Sequence, residues 1–309
     1  MRRLPALTAA TALTAAALVL TACTDASQQT AGNTGASDEA SAEASFDPST
    51  VEVDDEIAAM LPKEIADKGT LAVGSDTAYA PAEFIDADGK TPVGFDVDMV
   101  NAVAAVLGLD ADVQTAAFDG IIPAIGSKYD LGVSAFTITD ERTAEANMIS
   151  YAIAGSQFGV AAGNPEGFDP ENLCGSTVGV QTSTIQDDEL TEATKDCEDD
   201  GEEPIDVVRY ESQADVTTNL VGGKLQAMYA DSPITAYAVE QTSGEVETIG
   251  EINDAAPYGI VVAQDDEELT EAVQAAVQKL IDDGTLEQIF AGWGSEGVVV
   301  DEAELNPAE

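Results

Sequence analysis

Histidine is absent from all 309 residues. That removes Ser-His-Asp and Cys-His nucleophilic chemistry, and metal sites of the HExxH kind, from consideration. Basic residues are scarce as well: 11 Lys+Arg face 59 Asp+Glu, for a formal net charge of −48. A domain charged in this way is repelled by nucleic acid and by anionic membrane surfaces, so neither is expected as a partner. The acids themselves read as a hydrated, self-repelling surface suited to salty surroundings, and they name no ligand. Cysteine occurs three times. With Cys23 set aside, Cys174 and Cys197 form an even pair that could close one strand–helix unit with a disulfide worth about 3 kcal/mol. Two free buried thiols are the alternative. A metal site is disfavoured there, because no imidazole is available and the two thiols are too far apart for a CxxC pair. No metal or other cofactor is expected.

What the chain does have begins with a processing segment. Arg2 and Arg3 form a short basic region, and LPALTAATALTAAALVL is an apolar run of small residues. A membrane-spanning anchor is the other reading, but spans usually need ~20 more strongly apolar residues. The run ends in LTAC, Leu20 to Cys23, which resembles the bacterial lipobox. That likeness implies a signal peptide over residues 1–22 and a diacylglycerol on the Cys23 thioether. Residues 23–56 follow, Cys23 and then TDASQQTAGNTGASDEASAEAS and onward, small, polar or acidic and without period. They read as a disordered tether with a reach on the order of 30 Å. No later apolar segment is long enough to span a bilayer, so the folded part is expected on the outer face of the cytoplasmic membrane.

From Gly69 the pattern turns regular. LAVGS is a strand candidate, FDVDMVNAVAAVLG a helix stopped by Gly108, ADVQT a strand, DGIIPAIGS a helix and DLGVS a strand. After Cys174 a similar unit follows: strand TVGVQ, helix STIQDDELTEAT, strand IDVVRY, helix SQADVTTNLVGG and strand LQAMYA. Crossovers of this length demand parallel strands. YGIVVA adds a strand, Leu269, Val273, Val277 and Leu280 mark an amphipathic helix, and GTLEQIFAGWG closes the fold. The reading is an α/β protein of two lobes, residues 57–156 with 256–309 and residues 157–255. The chain is expected to cross between them near Gly155–Gly163 and Asn253–Pro257.

Ligands of open α/β sheets bind beyond the carboxyl ends of the strands. Those positions hold Asp76 and Tyr79, Phe118, Ala135, Phe136 and Thr137, Thr182 to Thr184, and Asp231. In SAFTITDER, Thr139 suits a helix N-cap with Asp140 and Glu141 in the first turn, yet Arg142 follows where a capping box wants Glu or Gln. A cation there opposes the helix dipole at about 0.3–1 kcal/mol, which suggests an anion bound beside it. Other residues have plainer readings: Ser183 with Gln186 fits a capping box, Asp231 an N-terminal acid before Ser232-Pro233, Asp76 a turn, and Tyr79 and Phe118 core. A zwitterion satisfies the set best. Its carboxylate would meet Arg142 and the N–H and hydroxyl groups of Ala135, Thr137 and Thr184, its ammonium Asp231, and its side chain Tyr79, Phe118 and Asp76.

The ordered stretches GSDTAYAPAEF, VGFDVDMVNAV, FDGIIPAI, KYDLGVSAFTITDER, VGVQTST, ADSP and PYGIVVA resemble the family 3 extracellular solute-binding proteins of amino-acid ABC transporters. The resemblance covers Gly69 to about Val298. It implies a type II periplasmic-binding-protein-like fold with the ligand cleft between two lobes. It also implies an importer's lipid-anchored component, monomeric, that takes a free polar amino acid and delivers it to a permease on lobe closure. Arg142 then corresponds to the carboxylate-binding Arg and Asp231 to the ammonium-binding Asp, with Ala135, Thr137 and Thr184 at the main-chain and hydroxyl contacts. Asp76, Tyr79 and Phe118 fall at the side chain. ENLCGSTVGVQTSTIQDDEL…KDC is similar to actinobacterial lipoprotein members in which the two cysteines pair. Two departures stand out. YAPAEF leaves the wall near Tyr79 either roomier or filled by Phe84, and Gln181 stands where glutamine binders of the family can carry Lys. Asp76 occurs in binders of glutamine and of basic amino acids. The family also holds cyclohexadienyl dehydratases, so an enzyme with Asp76 as its acid is an alternative, as is a sensing module without transport.

Overall fold

The computed structural model describes residues 46–307. The expected signal peptide, Cys23 and most of the tether lie outside them. Eight strands form one sheet in the order β5-β1-β6-β11-β7-β10-β8-β9. These are β1 (Thr70–Ser75), β5 (Asp110–Thr115), β6 (Leu131–Gly132), β7 (Asn147–Ala161), β8 (Thr177–Gln181), β9 (Asp206–Tyr210), β10 (Ala227–Asp231) and β11 (Val246–Val262). A small second sheet joins β2 (Ala78–Tyr79), β3 (Glu83–Ile85) and β4 (Pro92–Val93).

β1 pairs in parallel with β5 and β6, and β8 in parallel with β9 and β10, so each half is a crossover unit as the sequence suggests. β1 is apolar and buried almost throughout, as a strand inside an α/β sheet is. The helices of this half include α3 (Phe95–Val106), α8 (Glu267–Asp282) and α9 (Thr285–Gly292), which pack on one another. Leu269, Val273, Val277 and Leu280 are the buried stripe of α8, and Asp266 caps it by accepting the Leu269 N–H at 3.1 Å. In the other half, α5 (Ile185–Asp200), α6 (Gln213–Val221) and α7 (Ser232–Gln241) take the same part. Cys174 and Cys197 are disulfide-bonded, tying the loop before β8 to the end of α5.

Two expectations fail here. DGIIPAIGS is not an α-helix but two 3-10 turns, Phe118–Gly120 and Ile122–Ala124, since Pro123 lacks an N–H and disfavours the helical conformation of Ile122. Nor does the tether stay without structure to residue 56: Pro48–Thr50 form a 3-10 turn, Asp55–Ala58 a helix, and Phe46 and Val51 pack on the core. The stretches where the chain is expected to cross between lobes fall at the end of β7 and within β11, long antiparallel strands paired with each other. Gly155 serves their close approach: a Cβ there would lie 2.4 Å from Asn253 O. β7 changes neighbours along its length, with β10 paired to its residues 156–160. Its earlier part is flanked by the C-terminal segment, through Ile153 N–H to Val298 O (2.7 Å), Ser150 N–H to Glu304 O (2.9 Å) and Asn306 N–H to Met148 O (2.7 Å). The largest buried cluster runs from Leu71, Phe95 and Val273 into Val216, Leu225 and Met228, so the two lobes are in contact. Among the described residues no helix is long and apolar enough to cross a membrane.

Candidate functional site

Parallel pairing within each half brings the carboxyl ends of β1 and β6 to face those of β8 and β10. A cavity of about 10 Å³ lies between them, room for roughly one water molecule. Of the residues expected from sequence, Tyr79, Phe118, Ala135, Thr137, Arg142, Thr184 and Asp231 line it, joined by Ser134, Gln181, Ile185 and Gln186. Asp76 is reached through Gln181, whose Nε2 donates to Asp76 Oδ2 at 2.6 Å.

Arg142 stands in α4 (Asp140–Thr143), capped as expected by Thr139, whose Oγ1 accepts the Arg142 N–H at 3.2 Å. The helix is a single turn, so Arg142 also belongs to its last turn and the dipole cost that singled it out is small. Its chemistry still makes it distinctive. The guanidinium lies 5.5 Å and 5.7 Å from the ring centres of Phe118 and Phe136, which stack on each other at 4.7 Å. Nη1 donates to Thr137 O (2.8 Å) and Nη2 to Ser183 O (3.3 Å). Among the described residues no carboxylate lies within salt-bridge distance of it. With five donors on the fork and two in use, it can still grip a carboxylate. Burial lowers its pKa, opposed by the charges of Asp231, Asp188 and Glu141.

Asp231 occupies the N-cap position of α7, but its side chain makes no capping bond and turns into the cavity. Oδ2 accepts the Tyr79 hydroxyl at 2.7 Å and Oδ1 accepts Gln186 Nε2 at 2.9 Å. Burial raises its pKa, while Tyr79, Tyr258, Gln186 and the Arg142 charge oppose the rise. Gln186 is thus part of the site, bonded also to Ser156 Oγ at 2.9 Å. The capping-box reading concealed it. The cap of α5 is Thr184, whose Oγ1 accepts the Asp187 N–H and donates to Gln181 O. Ser183 instead takes φ 64° and offers its carbonyl to Arg142.

Three contacts expected for a ligand are therefore changed. The Thr184 hydroxyl is committed to capping, leaving that residue its N–H. The Ala135 N–H is committed to Asp96 Oδ2 at 2.7 Å, leaving Ala135 its carbonyl. Phe84 fills no wall of the cavity: it packs on Trp293 at 5.8 Å and Tyr237 at 6.0 Å. Thr137 sits opposite Tyr258 between the bonds Gly259 N–H to Phe136 O and Ile138 N–H to Pro257 O, both 2.8 Å, so its own N–H faces away from that strand. Asp76 donates its N–H to Ser134 Oγ at 3.0 Å. Burial raises the Asp76 carboxyl to about 6 against the Gln181 hydrogen bond, with Glu211 and Asp119 adding to the rise. Outside, an open groove of about 1080 Å³ leads to Arg142 past Glu141, Glu145, Asp188, Glu189, Glu192 and Asp254. Among the described residues no group of His, Cys, Asp and Glu is placed to hold a metal ion.

Over 253 residues the chain is 38% identical to the arginine-binding protein ArgT of Corynebacterium glutamicum, covering 81% of this chain and 83% of that one. Its structure is similar to an ancestral arginine-binding protein bound to arginine, at a TM-score of 0.67 and 32% identity over 73% of this chain and 98% of the other. It is also similar to an ancestral amino acid-binding protein that preceded cyclohexadienyl dehydratase, at a TM-score of 0.65 and 28% identity over 74% and 97% of the two chains. All three are binding proteins rather than enzymes, and this chain is a binding protein too. The family model described as bacterial extracellular solute-binding proteins, family 3, matches residues 71–296, and the protein belongs to that family.

Proposed function

We propose that this protein is the lipid-anchored substrate-binding component of an ABC importer and that it binds a basic amino acid, arginine foremost. The observation that carries the reading is the placement of Arg142 and Asp231 on one small cavity, with a second buried acid, Asp76, beside it. Arg142 with the Thr137 and Thr184 N–H groups takes the carboxylate. Asp231 and the Ala135 carbonyl take the ammonium. Asp76 faces the far end of the ligand, flanked by the rings of Tyr79 and Phe118.

A cationic side chain is favoured over a neutral one on electrostatic grounds. With its carboxyl at about 6, Asp76 is ionised at neutral pH and holds only the Gln181 amide. A buried carboxylate gains more from a cation than from an amide. The acid-lined groove raises the local concentration of cations at the entrance. The relatives named for arginine support the same choice.

Because the cavity holds roughly one water, the ligand enters by separation of the lobes and is enclosed when they close. The moving bodies are residues 57–156 with 256–309 and residues 157–255. Three bonds between them are exchanged for ligand contacts: Tyr79 to Asp231, Gln181 to Asp76 and Arg142 to Ser183. A diacylglycerol on Cys23 holds the domain at the outer face of the cytoplasmic membrane, where the closed form meets the permease.

Calorimetric titration of residues 24–309 against the twenty amino acids, with Arg142→Ala alongside, tests the ligand assignment. Expected are heats from L-arginine and other basic amino acids, with a loss of ~2–5 kcal/mol in the variant, as when one partner of a buried charge pair is removed. Heat from neutral amino acids alone overturns the basic-ligand assignment, and silence from a folded domain overturns amino-acid binding altogether. Metabolic labelling with a fatty acid, lost in Cys23→Ala, tests the anchor.

A further inference from the structure

Beneath the cavity, two acids are buried side by side. Glu83 on β3 is 0% exposed and Asp96 in the first turn of α3 is 1% exposed. Among the described residues neither has a Lys or Arg within salt-bridge distance. The backbone forces them together. Phe95 N–H donates to Pro81 O at 3.0 Å and Asp96 N–H to Ala82 O at 2.9 Å. Gly94 permits that approach, for a Cβ at its φ of 131° would lie 2.2 Å from Ala82 O. Each carboxyl counts the other among its hydrogen-bonding neighbours, and two buried carboxyls so placed do not both ionise readily.

The remaining contacts say which one keeps the proton. Asp96 is surrounded by donors: Oδ2 accepts the Ala135 N–H at 2.7 Å and Oδ1 the Tyr151 hydroxyl at 2.8 Å. It also sits at the positive end of a 12-residue helix. Glu83 Oε1 accepts the Ser134 hydroxyl at 2.6 Å, whereas Oε2 is buried without a donor. A proton on Oε2, given to Asp96 as a hydrogen bond, satisfies both side chains.

Both acids act on the ligand site. Ser134 Oγ, fixed by Glu83, accepts the Asp76 N–H. Ala135, fixed by Asp96, is held at φ 45°, a conformation that non-glycine residues rarely adopt. Resting on the reading of this cavity as an amino-acid site, we propose that Glu83 and Asp96 share one proton and are positioning residues, holding the main chain of Asp76 and Ala135 in the geometry that binds ligand. Burial pushes Glu83 well above the carboxylate range and Asp96 to about 6. Facing the pair are Asp76 at the end of β1, Asp231 at the end of β10, Tyr79 on β2 and Tyr151 on β7. Loss of the shared proton in alkali sets two negative charges against each other and loosens both main-chain contacts.

Infrared spectroscopy of residues 24–309 at about pH 8, where exposed carboxyls are ionised, reads the proton directly. The carbonyl band of a protonated carboxylic acid is expected in the wild type and missing in Glu83→Gln. No such band in the wild type, or its survival in Glu83→Gln, overturns the shared proton, and this holds whether or not the domain binds amino acids. Titration with L-arginine from about pH 6 to about pH 10 reads the positioning role. Glu83→Ala is expected to weaken binding by about tenfold with an unchanged circular dichroism spectrum, the size of one lost hydrogen bond. Glu83→Gln, whose amide donates where the protonated acid does, is expected to recover most of that affinity and to lack the wild type's alkaline decline. Identical pH profiles for wild type and Glu83→Gln overturn the positioning role. No binding of L-arginine by the wild type at any pH sinks the functional reading and the positioning role with it, and leaves the infrared result to decide the proton.

Discussion

The Tyr79 hydroxyl donates to Asp231 Oδ2 at 2.7 Å, spanning the two lobes at the oxygen a ligand ammonium would claim. The same carboxylate takes the Gln186 amide on its other oxygen. Both of its oxygens thus have neutral donors in a dry place.

That arrangement sets binding against stability at Asp231. Burial raises its pKa, so holding the charged form costs folding energy. Asp231→Asn is expected to raise the melting temperature of the ligand-free domain and to weaken L-arginine by ~2–5 kcal/mol. Thermal denaturation and calorimetry on one preparation check both halves. A variant that loses stability and keeps affinity contradicts the role given to Asp231.

Asp76 gives a pH dependence whose two signs differ. Its carboxyl is raised from 3.8 to about 6, so its contribution to stability is fully present below the unfolded value and is lost as pH rises through about 6. Affinity for a cationic ligand runs the other way, falling as pH drops through about 6 and Asp76 is neutralised. Dissociation constants and melting temperatures of wild type and Asp76→Asn between about pH 4 and about pH 8 test this, the variant lacking the part of each change that Asp76 supplies near pH 6.

Legibility differed from residue to residue for physical reasons. LAVGS and TVGVQ announce themselves because parallel strands are covered on both faces and must be apolar throughout. The rule that ligands gather at carboxyl ends then brings Tyr79, Thr137, Arg142 and Asp231 together without coordinates. Gln186 stayed hidden because a Gln three residues after a Ser has a sufficient local explanation, and only tertiary packing reveals that it reaches Asp231. The availability of Ala135 was misjudged for a similar reason, since the acid that takes its N–H is 39 positions away. β7 was not picked out as a strand because NMISYAIAGSQFGVA shows no alternation, and its glycines find strand neighbours only through pairing to β11 and β10.

One of those glycines carries a stability prediction. At Gly155 an added Cβ would meet Asn253 O at 2.4 Å and Ile252 Cγ2 at 2.6 Å. Gly155→Ala is expected to destabilise the domain by ~1–3 kcal/mol through overpacking. Gly120→Ala, where a Cβ meets nothing within 4 Å, is expected to stay within about 0.5 kcal/mol. Urea denaturation compares the two.

The disulfide separates stability from binding in another way. Cys174 and Cys197 are 23 residues apart, and removing the link by a Cys174→Ala, Cys197→Ala double substitution is expected to cost about 3 kcal/mol by loop entropy. Gln186 lies eleven positions before Cys197 on the same helix, roughly 16 Å away at 1.5 Å per residue. Affinity for L-arginine should therefore remain within about threefold while the urea midpoint falls. A collapse in affinity at unchanged stability would contradict this separation.

The strand pairing also dictates an order of construction. The half that carries Arg142 needs the end of β11, α8, α9 and the segment through Asn306 that lies along β7. The other half needs nothing beyond the first part of β11. As the chain is made from its N-terminus, the second half can settle while the first still waits for its final pieces. The larger half thus closes later than the smaller one, because its sheet is completed by strands and helices that come after the whole of the smaller half.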